Sequence, residues 1–294
     1  MTSRGPAASA PTPTFNGRPL PHPDEPVFDQ GLVFDIGTLL TRRDVIRAMG
    51  YGAIAASAAA CMPGATPGAS ASATAGPTVP AEACEVIPEE TAGPYPGDGS
   101  NGPDVLGESG VVRQDIRSSF GSSSTVAAGV PLTIRLAILD LASDCAPLAG
   151  AAVYLWHCDQ EGRYSLYSSG VEGENYLRGV QAAGDDGIVT FTSIFPACYS
   201  GRWPHIHFEV FSSLEAATDD ANKIATSQVA LPEDVCTEVY ATEGYEQSVQ
   251  NMGGVSLARD MVFGDDGGEQ QLGAVHGSMA DGLTVDLAVP VQAS

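Results

Sequence analysis

Residues 201–211 read GRWPHIHFEVF, and they set two of the chain's five histidines, His205 and His207, one residue apart. Trp203, Ile206, Phe208, Val210 and Phe211 are strand formers, so the stretch is expected to run as a β-strand. Side chains of a strand alternate between its faces. His205, His207 and Glu209 therefore share one face, while Ile206, Phe208 and Val210 point the other way into a core. Two imidazoles on one rigid face make a bidentate claw for a metal ion. A bare H-x-H also occurs as an ordinary polar strand face, so the metal reading needs further ligands.

The surrounding sequence has the same period. VPLTIRLAILD (130–140), AAVYLWHC (151–158), GIVTFTSIF (187–195), IATSQVAL (224–231) and LTVDLAV (283–289) read as strands separated by Gly, Pro, Asp and Ser turns. Segment 234–252 reads as one short helix. With no long helical periodicity, the class is all-β, a β-sandwich with few short helices.

Residues 1–80 are rich in Pro, Ala, Ser, Thr and Gly, and are expected to be a disordered N-terminal segment and linker. Residues 81–294 then form a single domain. Thirteen Lys+Arg against 36 Asp+Glu give a formal net charge of −23. Arg4, Arg18, Arg42, Arg43 and Arg47 cancel the five acids of residues 1–60, so the whole excess lies beyond residue 60. Such a surface repels phosphate backbones and argues against a nucleic-acid partner. The six cysteines contain no C-x-x-C pair, which argues against structural zinc. Widely spaced cysteines of an exported domain form disulfides, and the pairing stays open.

The stretch TRRDVIRAMGYGAIAASAAAC (41–61) joins Arg42-Arg43 to a weakly apolar run. It resembles a twin-arginine export signal, with Thr41 to Arg47 fitting the pattern. The apolar run of about 13 residues is too short to persist as a membrane-spanning helix, so no transmembrane domain is expected in the mature chain. AAAC (58–61) is a loose lipobox. Release to the extracellular space and anchoring at the cell surface through a lipidated Cys61 are both open.

Two tyrosines add to the histidine pair. PLAGAAVYLWHCDQEGRYS (147–165) followed by GIVTFTSIFPACYSGRWPHIHFEVF (187–211) resembles the intradiol ring-cleavage dioxygenases, over about residues 84–240. The resemblance implies a β-sandwich of that family's type and non-haem Fe(III) bound by two tyrosinates and two histidines. It implies a small aromatic diol of the catechol type and O2 as substrates, cleaved to a muconate-type diacid. Tyr164 matches the first tyrosine ligand, at the end of a W-x-x-D-x-x-G-x-Y run; Tyr199 matches the second, and His205 and His207 match the H-I-H pair. Arg202 matches the arginine beside the substrate, and Gln228, in TSQVAL, the glutamine of a T-x-Q segment. TAGPYPGDG (91–99) matches the family's T-x-G-P-Y entry motif, which implies that Tyr95 lines the pocket. By the same correspondence Tyr199 is the axial ligand opposite His207, leaves as catechol binds and accepts one of its protons. Tyr164 and His205 are then equatorial. The donor set agrees with the metal, since phenolate oxygen is a hard anionic partner for a hard cation.

Five residues separate Tyr199 from His205, a shorter loop than in many members, which implies a more open pocket. The acidic surface is expected to favour neutral catechols over anionic protocatechuate, with Arg163 and Arg178 the candidate cations for an anionic substituent. A cupin is the first alternative, and it fails because Phe211 and Ser212 stand where its glutamate belongs. The second is a non-catalytic secreted sandwich of transthyretin-like type, against which the paired tyrosines argue. His157 reads as a strand residue near the site, and His22 and His276 as surface residues. Changing Arg42 and Arg43 together to Lys is expected to hold the protein in the cytoplasm; cell fractionation that finds it exported as before would remove the signal assignment.

Overall fold

A computed structural model describes residues 84–293, together with 14–15 and 18–19. The chain divides into an N-terminal unit, Met1–Thr74, and a second unit, Ala75–Ser294. In the first, Thr14–Phe15 pairs antiparallel with Arg18–Pro19. The twin-arginine segment 41–61, Cys61 and nearly all of the expected disordered region lie outside the described residues.

The second unit is built from two sheets, as the strand pattern requires. The first centres on β1 (Pro131–Asp140), which runs parallel to β9 (Gly282–Val291) on one side. On its other side β1 pairs antiparallel with β5 (Ile188–Ile194) and, at its end, with β2 (Ala146–Pro147). The edge strand β8 (Ala274–Ser278) completes this sheet against β9. The second sheet is antiparallel throughout, in the order β4 (Arg178–Ala182), β3 (Ala152–Trp156), β6 (His205–Phe211), β7 (Lys223–Ala230). The all-β sandwich expected from the sequence is therefore the observed architecture.

One face of each sheet closes on the other. Leu132, Ile134, Leu136 and Ile138 of β1 meet Val153 and Leu155 of β3 and Ile206, Phe208 and Val210 of β6 in one apolar core. The predicted alternation of β6 holds. All seven of its residues are nonetheless buried, because loops cover the face that carries His205, His207 and Glu209. On that covered face a second apolar cluster gathers Tyr154, Trp156, Cys158, Tyr164, Val180 and Ala197.

Two strands and a helix escape the sequence pattern. β4 reads RGVQA and β8 reads AVHGS, neither with apolar alternation. The one helix expected within 234–252 is two, α1 (Glu233–Tyr240) and α2 (Glu246–Met252). Gly244, at φ +94°, breaks the helical path between them, a conformation cheap only for glycine. Cys84 and Cys145 form a disulfide, and Cys158, Cys198 and Cys236 are buried free thiols. His276 lies on the surface beside Asp286 at 3.3 Å, as expected. Among the described residues no helix is long and apolar enough to cross a membrane.

Phe208 is fully buried in the core between the sheets. Its replacement by Ala should cost about 3–5 kcal/mol, read as a lowered denaturation midpoint. A change below about 1 kcal/mol would contradict this packing.

Candidate active site

The register of the second sheet builds the floor of the site. Trp156 of β3 stands opposite His207 of β6, and Gln228 of β7 opposite His207 on the other side. The Trp156 and His207 rings stack at 4.9 Å between centroids, 5° from parallel, so the imidazole is held flat against the indole.

The loop after β3 presents the first tyrosine. Asp159 accepts from the backbone N–H groups of Glu161 and Arg163, from Arg163 Nε and from Tyr176 Oη, which curls the chain back on itself. Gly162 follows at φ +83°, and a Cβ there would meet Tyr199 Cβ at 3.1 Å. The spacing W-x-x-D-x-x-G-x-Y thus has a physical reason at every fixed position: an aromatic wall, a loop-former, a close approach and a donor. Tyr164 is buried, with its Oη directed at the Tyr199 phenol.

The second tyrosine sits in the short loop before β6. Ser248 Oγ accepts from Cys198 N–H and Asn251 Nδ2 donates to Cys198 O, so α2 anchors that loop. Tyr199 Oη lies 3.2 Å from His205 Nε2, which lies 3.1 Å from His207 Nε2. His205 Nδ1 contacts the Trp203 carbonyl at 2.5 Å, a contact that requires a proton on Nδ1 and leaves Nε2 with a lone pair. Tyr164 closes the group, edge-on to Tyr199 and to His207 at 5.9 and 6.2 Å between ring centroids.

Burial drives all four groups to their neutral forms. It raises the Tyr164 phenol well above its ordinary value, with Tyr199 adding to the effect. It pushes the Tyr199 phenol up to about 12, Arg202 pulling the other way. Burial and the charge of Arg202 lower His205, and burial and His205 lower His207. Two neutral imidazoles with converging Nε2 atoms and two buried phenols beside them form a donor set for a cation. No cluster of three His, Cys, Asp or Glu suited to a metal occurs among the described residues, so the phenols are needed to complete it. The residues present fit a ferric ion.

The walls come from distant segments. Gln228 Nε2 donates to the Thr91 carbonyl, and Gly93, at φ +71°, passes His207 so closely that a Cβ would lie 3.3 Å from its Cε1. Tyr95 packs on Tyr164 and Tyr167 at 4.9 and 5.2 Å between centroids. Arg202 Nη2 donates to Gln228 Oε1 at 2.8 Å. The structure thus brings together all seven residues singled out in the sequence: Tyr95, Tyr164, Tyr199, Arg202, His205, His207 and Gln228.

Other expectations change. Arg178 and Arg163 are not available to a substrate anion. Arg178 donates to the carbonyls of Tyr95, Pro96 and Ser165 and to Ser165 Oγ, tying the Tyr95 and Tyr164 loops together. Arg163 is held by Asp159 and Glu161. His157 lies just past β3 rather than within it, bonded to Ser193 Oγ and the Cys158 carbonyl, and close enough to act on His205 and His207. Asp260, which accepts from Arg202, carries no signal in the sequence, because 58 residues separate the two.

Residues 102–219 match a family model described as dioxygenase. No curated protein matches. Among solved structures, an intradiol ring-cleavage dioxygenase from Tetranychus urticae is similar at 24% identity over 71% of this chain and 95% of its own, with a TM-score of 0.57. A second solved dioxygenase gives 23% identity over the same shares, with a TM-score of 0.56. Catechol 1,2-dioxygenase from Pseudomonas arvilla C-1 overlaps less well, at 18% identity over 70% of this chain and 62% of its own, TM-score 0.44. The first two likenesses establish the fold.

Replacing Gly93 with Ala should cost about 1–2 kcal/mol for the left-handed backbone alone. It should also displace the His207 ring, seen as a shift of that ring's NMR signals. An unchanged stability and unchanged ring would contradict the packing at this contact.

Proposed function

We propose that this chain carries a domain of the intradiol ring-cleavage dioxygenase family and that it cleaves small catechol-type diols with O2 at an Fe(III) centre. The observation that carries the reading is the convergence of Tyr164, Tyr199, His205 and His207 on one point. Both atoms of O2 enter the product, a muconate-type diacid. Fe(III), when bound, supplies the Lewis acidity that lets both phenols and the diol lose protons near neutral pH, and the electron-accepting centre that makes the ring reactive toward O2.

The residues have separable tasks. His205 and His207 offer neutral nitrogens fixed by the Trp203 carbonyl and the Trp156 face. Tyr164, rigidly presented by the Asp159 loop, supplies a persistent negative charge. Tyr199, on the short loop, is the base that takes a diol proton, a task suited to a phenolate whose proton affinity burial has raised. Arg202 stabilises negative charge building on the ring, in a site with little water. Gln228 fixes that guanidinium and Tyr95 closes the pocket over Tyr164. Export through the twin-arginine route is part of the proposal and rests on Thr41 to Arg47 alone.

Paired variants test the assignment. Tyr164→Phe should give a pale, iron-poor protein, since a lasting ligand is lost. Tyr199→Phe should keep most of its iron and colour but turn over ~10²–10⁴-fold more slowly, the usual worth of a positioned proton acceptor. Metal content, visible spectrum and O2 uptake would reject the division of roles if the two variants behave alike or in reverse order.

A further inference from the structure

Arg202 does not stand alone beside the four donors. Its Nε donates to Asp260 Oδ2 at 3.0 Å and its Nη2 lies 3.3 Å from Asp260 Oδ1. Nη2 also donates to Gln228 Oε1 at 2.8 Å. Asp260 has a fully buried side chain and accepts from the backbone N–H groups of Trp203, Val262 and Phe263. Its carboxylate is thus locked in place by these backbone donors, and it locks Arg202 in turn. The pair joins the 202–203 turn to the 260–263 turn, whose Phe263 ring lies under the guanidinium at 5.9 Å.

We infer that Asp260 is a positioning and specificity-determining residue: it aims Arg202 at the diol and offsets part of its charge, so that the pocket prefers a diol whose ring substituents are uncharged. The inference rests on the function proposed above. Arg202 is bonded to Gln228, which stands opposite His207, so it is the cation beside the site that an anionic ring substituent would have to use. Its neighbours cannot take over that task. Arg178 and Arg163 are bound as described, and Lys223 sits at 3.3 Å from both Glu209 and Asp220. Arg259 is exposed and its Nε is bonded back to Ser256 Oγ. A buried anion with no unpaired cation is costly, so a carboxylated diol gains nothing here to offset its desolvation.

The test compares catechol with 3,4-dihydroxybenzoate as substrates of the iron-loaded enzyme, at low salt and at about 1 M salt, where the Debye length is only ~3 Å. The wild type should favour catechol under both conditions. Loss of that preference at high salt would overturn the inference, because it would trace the selectivity to the acidic exterior instead. In Asp260→Asn, kcat on catechol should fall, and the ratio of kcat/KM values should move toward 3,4-dihydroxybenzoate by roughly tenfold or more. Asp260→Glu, which keeps the charge, should retain the wild-type ratio. Equal losses on both substrates, with the ratio unchanged, would leave Asp260 a purely structural residue and refute the proposal. The amide that Asp260→Asn introduces faces N–H donors; should that variant fail to fold, the salt comparison on the wild type decides the matter without it. Absence of turnover on any diol would instead refute the function on which the inference rests.

Discussion

The two-residue period of β6 governs both the core and the site. Ile206, Phe208 and Val210 close the sandwich on one side of the strand, and His205 and His207 stand on the other. A slip of one residue would send the imidazoles into the core and the core residues into the loops. The apolar face therefore does more than hold the sheets together: its burial fixes the register that sets His207 between Trp156 and Gln228. The stability of the fold and the geometry of the donors share one cause.

Around that strand the electrostatics are arranged in layers. The innermost groups are kept neutral by burial, so they are poised to give up protons only to a strong cation. Arg202 and Asp260 form the next layer, a fixed pair whose charges offset each other. Outside both lies a surface with a large excess of carboxylates, carried by a chain with a formal net charge of −23. Each layer acts at a different range. The exterior field decays with salt, whereas the buried pair, held by direct hydrogen bonds, is screened much less.

Much of this was legible in the sequence, and for identifiable reasons. The strands from 130 onward alternate cleanly, because each buries one face against the facing sheet. Trp156, Asp159, Gly162 and Tyr164 could be read as a motif since all four fall within one short stretch of chain, whatever they touch in the fold. β4 and β8 could not, as RGVQA and AVHGS lack the alternation and take their strand conformation from their neighbours. Arg178 looked like a spare cation, yet its donors are consumed by backbone carbonyls of two loops that meet only in the fold. Asp260 was invisible for the same reason: its role is defined by Arg202 and by N–H groups on either side of a long stretch of chain.

The central claim is that two phenolates and two imidazoles of this chain hold a ferric ion. Resonance Raman spectroscopy of the purified protein, excited in its visible band and paired with metal analysis, tests it most directly. The account predicts stoichiometric iron and tyrosinate ring vibrations that disappear when the metal is removed. Full occupancy by zinc or copper, or iron without tyrosinate modes, would contradict it.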